Sequence, residues 1–143
     1  MPCYYTIHVD ENVVAKKYFG RVTTACVLRL IDTFQADPNY RNDMMELDDL
    51  RDLEDLDMST KDISEIAIML TGFSDRKQKS TRKSVLAPHG AARAAAFGFK
   101  SLVEANDAFE VGIFSTLTDA VGFLDLNDAD RFQIAVYEDF KVH

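Results

Sequence analysis

Hydrophobic positions along this chain change period several times, and each change marks an element. In "YYTIHVD" (Tyr4 to Asp10), Tyr5, Ile7 and Val9 alternate with polar residues, the two-residue period of a strand. "EN" follows, then a second β-like run, "VVAKKYFG" (Val13 to Gly20), so the pair reads as a hairpin around a two-residue break. Helical spacing then takes over: Val27, Leu30, Ile31 and Phe34 fall at i, i+3, i+4 and i+7, with Thr23 or Thr24 as cap and Pro38 as stop. "MMELDDL" (Met44 to Leu50) reads as an imperfect third strand, with Met45, Leu47 and Asp49 on one face. An acidic connection leads to Ser59 and Asp62, the S-x-x-D of a capping box, and then to Ile63, Ile66, Ala67 and Leu70 at helical spacing, closed by Gly72.

"RKQKSTRK" (Arg76 to Lys83) reads as a basic loop, and "SVLAP" (Ser84 to Pro88) as a short strand covered on both faces. "HGAARAAAFGFKSLVEAN" is rich in helix formers, with Ala91, Ala94, Ala95 and Gly98 on one small-residue face. "FEVGIFS" alternates again at Phe109, Val111 and Ile113. A second capping box at Thr116 and Asp119 opens a helix with Leu117, Ala120, Val121 and Leu124. The order β-β-α-β-α-β-α-β-α predicts an α/β fold. It has a mostly parallel mixed sheet of about five strands, one strand of the hairpin antiparallel, and four helices. This domain spans residues 1–124. Residues 125–143 form a C-terminal extension in which Phe132, Ile134 and Val136 fit a strand, while Phe132, Ala135, Val136 and Phe140 fit a helix. Its apolar residues are expected to cover the domain or a second subunit.

Composition narrows the partners. The 143 residues carry 47% hydrophobic side chains, enough for one domain with a real core, and a formal net charge of -8. That charge argues against nucleic acid, whose phosphates require Lys and Arg, and against anionic membranes. No apolar run approaches membrane-spanning length, no signal-peptide pattern opens the sequence, and Cys3 and Cys26 form no disulfide framework. A soluble, reduced, cytoplasmic protein without membrane insertion is the expectation. Cys26, inside the first helix, is expected to be buried and inert.

The hairpin, "ADPNYRN", "DDLRD", "APHGAAR" and "FEVGIFSTLTDAVGFL" together resemble the STAS/SEC14-like proteins of the SpoIIAA-like fold, over roughly Tyr4 to Leu124. The resemblance implies that fold and a bacterial origin, in a group mostly without assigned activity. Its better-known STAS relatives are regulatory modules, such as anti-sigma factor antagonists phosphorylated on a serine. SEC14-type relatives bind lipids. In the phospho-switch pattern a helix after the third strand begins Asp-Ser-Ser/Thr-Gly. Here "DMSTKD" supplies Ser59 and Thr60 but no Gly, and cap chemistry alone explains the spacing of Ser59.

Candidate chemistry is sparse. The acidic stretch "ELDDLRDLEDLDMSTKDI" lacks the Gly and Glu positions of an EF-hand, and its "DLDMS" lacks the buried strand that an aspartate nucleophile needs, so it reads as a solvated charge run. Asp49 is the best candidate for a shifted pKa, and Arg51 sits among Asp48, Asp49 and Asp52 as a source of local ion pairs. None of the three histidines has metal-ligand spacing. His89 and Gly90 lie between a strand's carboxyl end and a helix start, with Arg93 one turn on, where a small anionic ligand can meet helix N–H groups. The expected ligand or partner surface is therefore Arg51, Ser59, Thr60, His89, Gly90 and Arg93, with no catalytic residue, metal or cofactor. Two functions follow. The first is a non-catalytic regulatory or protein-interaction module acting as a homodimer. The alternative is a small-ligand or lipid-binding domain, a minimal SEC14 relative, which requires a sizeable apolar pocket.

Overall fold

The computed structural model describes residues 2–71, 81–104 and 110–141. The chain runs β1 (Cys3–His8), β2 (Val13–Thr23), α1 (Thr24–Gln35), β3 (Met45–Asp57), α2 (Thr60–Thr71), β4 (Arg82–Leu86), α3 (Gly90–Glu104), β5 (Glu110–Phe114), α4 (Leu117–Phe123) and α5 (Ala129–Asp139). The five strands form one sheet in the order β1-β2-β3-β4-β5, with β1 antiparallel to β2 and the remaining pairs parallel. Because each parallel crossover steps one strand further in the same direction, α1, α2 and α3 pack on one face of the sheet, and α4 and α5 cover the other. The α/β architecture and the antiparallel first strand match the sequence pattern. Among the described residues the helix count is five rather than four, because the extension contributes α5. No helix among the described residues is long and apolar enough to cross a membrane.

Local chemistry sets the ends of these elements. The hairpin turn is longer than its sequence suggests: β1 stops at His8, and Asn12 adopts φ 61° while its N–H donates to the Val9 carbonyl at 3.2 Å. Asparagine tolerates this left-handed conformation better than most residues. Thr23 caps α1 by accepting the Cys26 N–H at 3.3 Å. Ser59 and Asp62 form the expected reciprocal box, the Ser59 N–H donating to the Asp62 carboxylate at 2.9 Å and the Asp62 N–H to the Ser59 hydroxyl at 3.1 Å.

Three readings of the sequence require correction. The acidic stretch is not a solvated connection. β3 continues through it to Asp57, paired with β2 as far as Thr23. Two register shifts, between Lys17 and Phe19 and between Gly20 and Arg21, each oppose an extra β3 residue to β2. Each extra residue flips the side-chain phase, so Leu50, Leu53 and Leu56, three apart, all face the same way. That spacing fits neither a regular strand nor a helix, which hid the strand. The basic loop is also shorter than expected: Arg82 and Lys83 open β4, and Lys83 is buried, whereas Arg76, Lys77 and Lys79 lie outside the described residues. On α3 the buried small residues are Ala92 and Ala96, while Ala91, Ala94 and Gly98 are exposed, because the helix starts at Gly90 and presents its face one position later.

The extension is helical. Phe132, Val136 and Phe140 pack with Val13, Ala15, Leu47 and Leu86 of the sheet and with Leu117, Val121 and Leu124. Tyr4 donates its hydroxyl to the Asp139 carbonyl at 2.7 Å, His8 Nε2 lies 2.8 Å from Asp139 Oδ2, and the His8 ring meets Phe132 edge-on at 5.0 Å. The apolar stripe of the tail is therefore covered within its own chain.

Of the two cysteines, Cys26 is not the buried thiol that its place in the first helix suggested. Cys3 is buried, and burial pushes its thiol up to about 11. Cys26 is half-buried, and the Thr23 hydroxyl, donating to its sulfur at 3.3 Å, lowers its pKa.

Two outcomes follow from this packing. Phe132→Ala should lower stability in urea by about 3–5 kcal/mol, because it opens a cavity between α5 and the sheet; an unchanged midpoint would mean that α5 is not docked. A time course with iodoacetamide, read by mass spectrometry, should label Cys26 well before Cys3.

Candidate functional site

β2, β3 and β4 lie inside the sheet with helices on both faces, so their side chains are buried whatever their chemistry. Val14, Lys16 and Tyr18 point toward α1. Register places Glu46 and Asp48 of β3 beside them and Lys83 of β4 beyond. The result is a closed ring of four charges, each residue no more than 7% exposed. Lys16 Nζ donates to Glu46 Oε1 and lies 3.1 Å from Asp48 Oδ1, a contact held by charge rather than by an aligned hydrogen bond. Lys83 Nζ lies 2.8 Å from Glu46 Oε1 and 2.8 Å from Asp48 Oδ2. The ammonium groups also sit over rings, Lys16 at 5.0 Å from the centre of Phe34 and Lys83 at 5.2 Å from that of Phe99. Burial alone would raise the Glu46 carboxyl, but Lys16 and Lys83 outweigh it and hold the group down at about 2. Burial likewise opposes the charge on Lys16, and Asp48 and Glu46 outweigh it and raise its pKa. Two lysines thus face two carboxylates, and the formal charges of the ring sum to zero.

Above this ring lies a partly open cavity of about 100 Å³. Its walls come from β2 (Tyr18, Val22), the phase-shifted β3 leucines, the first turns of α2 and the N-terminal half of α3, ending at Phe99. Lys16, Asp48 and Lys83 form its floor. A space of this size exceeds what a single water needs, and the walls are overwhelmingly apolar.

The sequence-derived candidates fall around this cavity rather than in it. Ser59 and Thr60 are exposed at the start of α2, next to Met58 and Ile63, which line the wall. His89 and Gly90 are exposed at the start of α3, whose Ala92, Ala95 and Ala96 line the opposite wall. The two helix starts therefore flank one pocket. Arg93 is turned back to the protein, donating to the Ala87 carbonyl at 2.9 Å with its guanidinium over Phe97. Arg51 is on the other face of the sheet. It grips Asp49 through Nε at 3.0 Å and Nη2 at 2.9 Å, and Lys17 approaches Asp49 at 2.9 Å from β2. Asp49 is fully buried; burial raises its pKa, but the hydrogen bonds from Arg51 and Lys17 win and lower it. The shift expected at Asp49 is thus present, with Lys17 as the partner that the sequence did not identify.

Sequence reasoning missed Lys16, Glu46 and Lys83. One signal was available: "VVAKKYFG" puts two lysines inside a run otherwise fit for a central strand, and buried charges need partners.

No family model matches the chain, and no curated protein matches it. Among solved structures, the chain is similar to an uncharacterized protein of the DUF3478 family with a SpoIIAA-like fold from Shewanella loihica PV-4. The two are 16% identical, with a TM-score of 0.53, covering 85% of this chain and 93% of that one. The fold of the chain is SpoIIAA-like, as the sequence resemblance implied.

The ring makes stability depend on acid. Glu46 has a depressed folded pKa, so its contribution is complete above its ordinary 4.5 and is lost as pH falls toward about 2. Urea denaturation across that window should show falling stability. Glu46→Gln leaves two buried ammonium groups facing one carboxylate and should cost about 3–5 kcal/mol at neutral pH. It should also flatten the acid dependence; an equally steep profile in the variant would place the effect elsewhere.

Proposed function

We propose that this SpoIIAA-like domain is a non-catalytic binding module that holds a small, largely apolar molecule in the cavity between the sheet, α2 and α3. The observation that carries this reading is the cavity itself: apolar walls over a polar floor, flanked by two helix starts. The ionisation states support binding over catalysis. A general acid or base works best with a pKa near the operating pH. Here Glu46 is held at about 2, while Lys16 and Tyr18, which line or underlie the cavity, are pushed above their ordinary ranges. A regulatory role fits the same geometry, since an occupant would contact α2 directly beside the exposed Ser59 and Thr60.

Self-association is a second reading, carried by α5. Ile134 and Tyr137 are 70% and 55% exposed on its outer side, where with Leu117, Thr118 and Gln133 they line a groove against α4. Sedimentation at micromolar concentration tests it, and a strictly monomeric protein would remove it.

The binding reading is tested with Nile red, an uncharged apolar dye. Wild-type protein should enhance its fluorescence saturably, and Ala95→Phe, which fills the cavity from α3, should weaken that binding at least about tenfold at a stability cost of about 1–3 kcal/mol. Equal binding by wild type and variant would reject the cavity as the site.

A further inference from the structure

We infer that the pocket selects uncharged apolar molecules carrying a single hydroxyl or carbonyl oxygen, and discriminates against the matching anions and cations. This rests on the cavity being a binding site, as proposed above, and specifies what it admits.

The inference comes from charge counting in the ring, of which Lys16, Asp48 and Lys83 line the floor and Glu46 does not. Lys16, Lys83, Glu46 and Asp48 sum to zero and neutralise one another within the ring. A ligand carboxylate seated on this floor would bring a third anion to two cations already engaged. A ligand ammonium would bring a third cation to two carboxylates already engaged. Either head would lose its water without gaining an unmatched countercharge, the costly case for a buried ion. An uncharged oxygen avoids that cost and still finds partners. Each ammonium has three N–H donors; one is hydrogen-bonded to Glu46, and Asp48 lies within ion-pair distance. That leaves donor capacity for an acceptor on each, on a nitrogen lying over an aromatic face. Asp48 Oδ1 has no aligned hydrogen bond and can accept from a hydroxyl. The walls of Val22, Leu53, Leu56, Ile63 and Phe99 take the rest of the molecule.

Three probes of one chain length separate the cases: decanol, decanoate and decylammonium, each competing with Nile red on the wild-type protein. At neutral pH decanol should displace the dye with an affinity about tenfold or more above either charged probe, the scale of one uncompensated buried polar group. Decanoate should then gain affinity as pH falls through the ordinary carboxyl range, because protonation makes it neutral. Glu46, held at about 2, keeps its charge there, and circular dichroism checks that the protein is still folded. A charged probe that binds as tightly as decanol at neutral pH overturns the inference and leaves the binding site standing. Dye binding that no probe displaces overturns it as well. Failure of Nile red to bind at all removes the cavity as a site, and the inference with it.

Discussion

The ring of Lys16, Glu46, Lys83 and Asp48 ties the three central strands together at one level of the sheet, and the rest of the structure is arranged around it. Its members cannot be exposed, because helices cover both faces of a mostly parallel sheet. They cannot be unpaired either, because an isolated buried charge costs far more than the domain's net stability can absorb. Register is therefore constrained twice at this point: β3 must bring two carboxylates to one face opposite Lys16, and β4 must enter with Lys83 rather than an apolar residue. Lys17 repeats the logic on the other face with Asp49 and Asp52. Adjacent lysines on β2 thus serve two different layers of the molecule.

Much of this architecture was legible in sequence. Alternation at Tyr5, Ile7 and Val9, helical spacing from Val27 to Phe34, and capping at Ser59 and Thr116 arise from local interactions, and local interactions leave periodic marks. The stretch from Glu46 to Asp57 was legible as a strand only as far as Leu50, for a physical reason. Its strand character depends on pairing with β2 and on two extra residues that only the pairing reveals. Its charge, which suggested a solvated loop, is matched by Lys16, Lys17 and Arg21 on the neighbouring strand. Fate of the tail was equally non-local: both periods fitted, and the choice of helix was made by the apolar surface of the sheet beneath it.

The site was half visible. The pair of helix starts near Ser59 and His89 was found by position in the chain, and the pocket lies between them. The residues on its floor were not found, because a lysine within an apolar run is informative only once the run is known to be central. Arg51 and Arg93 illustrate the reverse error. Both are cations near plausible binding positions, yet each is occupied by the protein itself, one by Asp49 and the other by a backbone carbonyl.

The two interruptions in β3 carry a consequence for how this segment can change. Without Arg51 and Glu54, the run from Leu50 reads Leu-Asp-Leu-Asp-Leu-Asp, a plain alternating strand. Each of those two residues is taken up as a bulge opposite β2, which is why leucines three apart keep one face. The bulges are slack in the strand: loss of Arg51 or Glu54 would remove one bulge and leave Leu56 facing the pocket and Asp55 and Asp57 facing away. In a strand without bulges, loss of one residue turns every side chain beyond it to the opposite face. This charge-rich segment can therefore shorten by one or two residues, like a joint with built-in play, without exchanging its leucines for its aspartates.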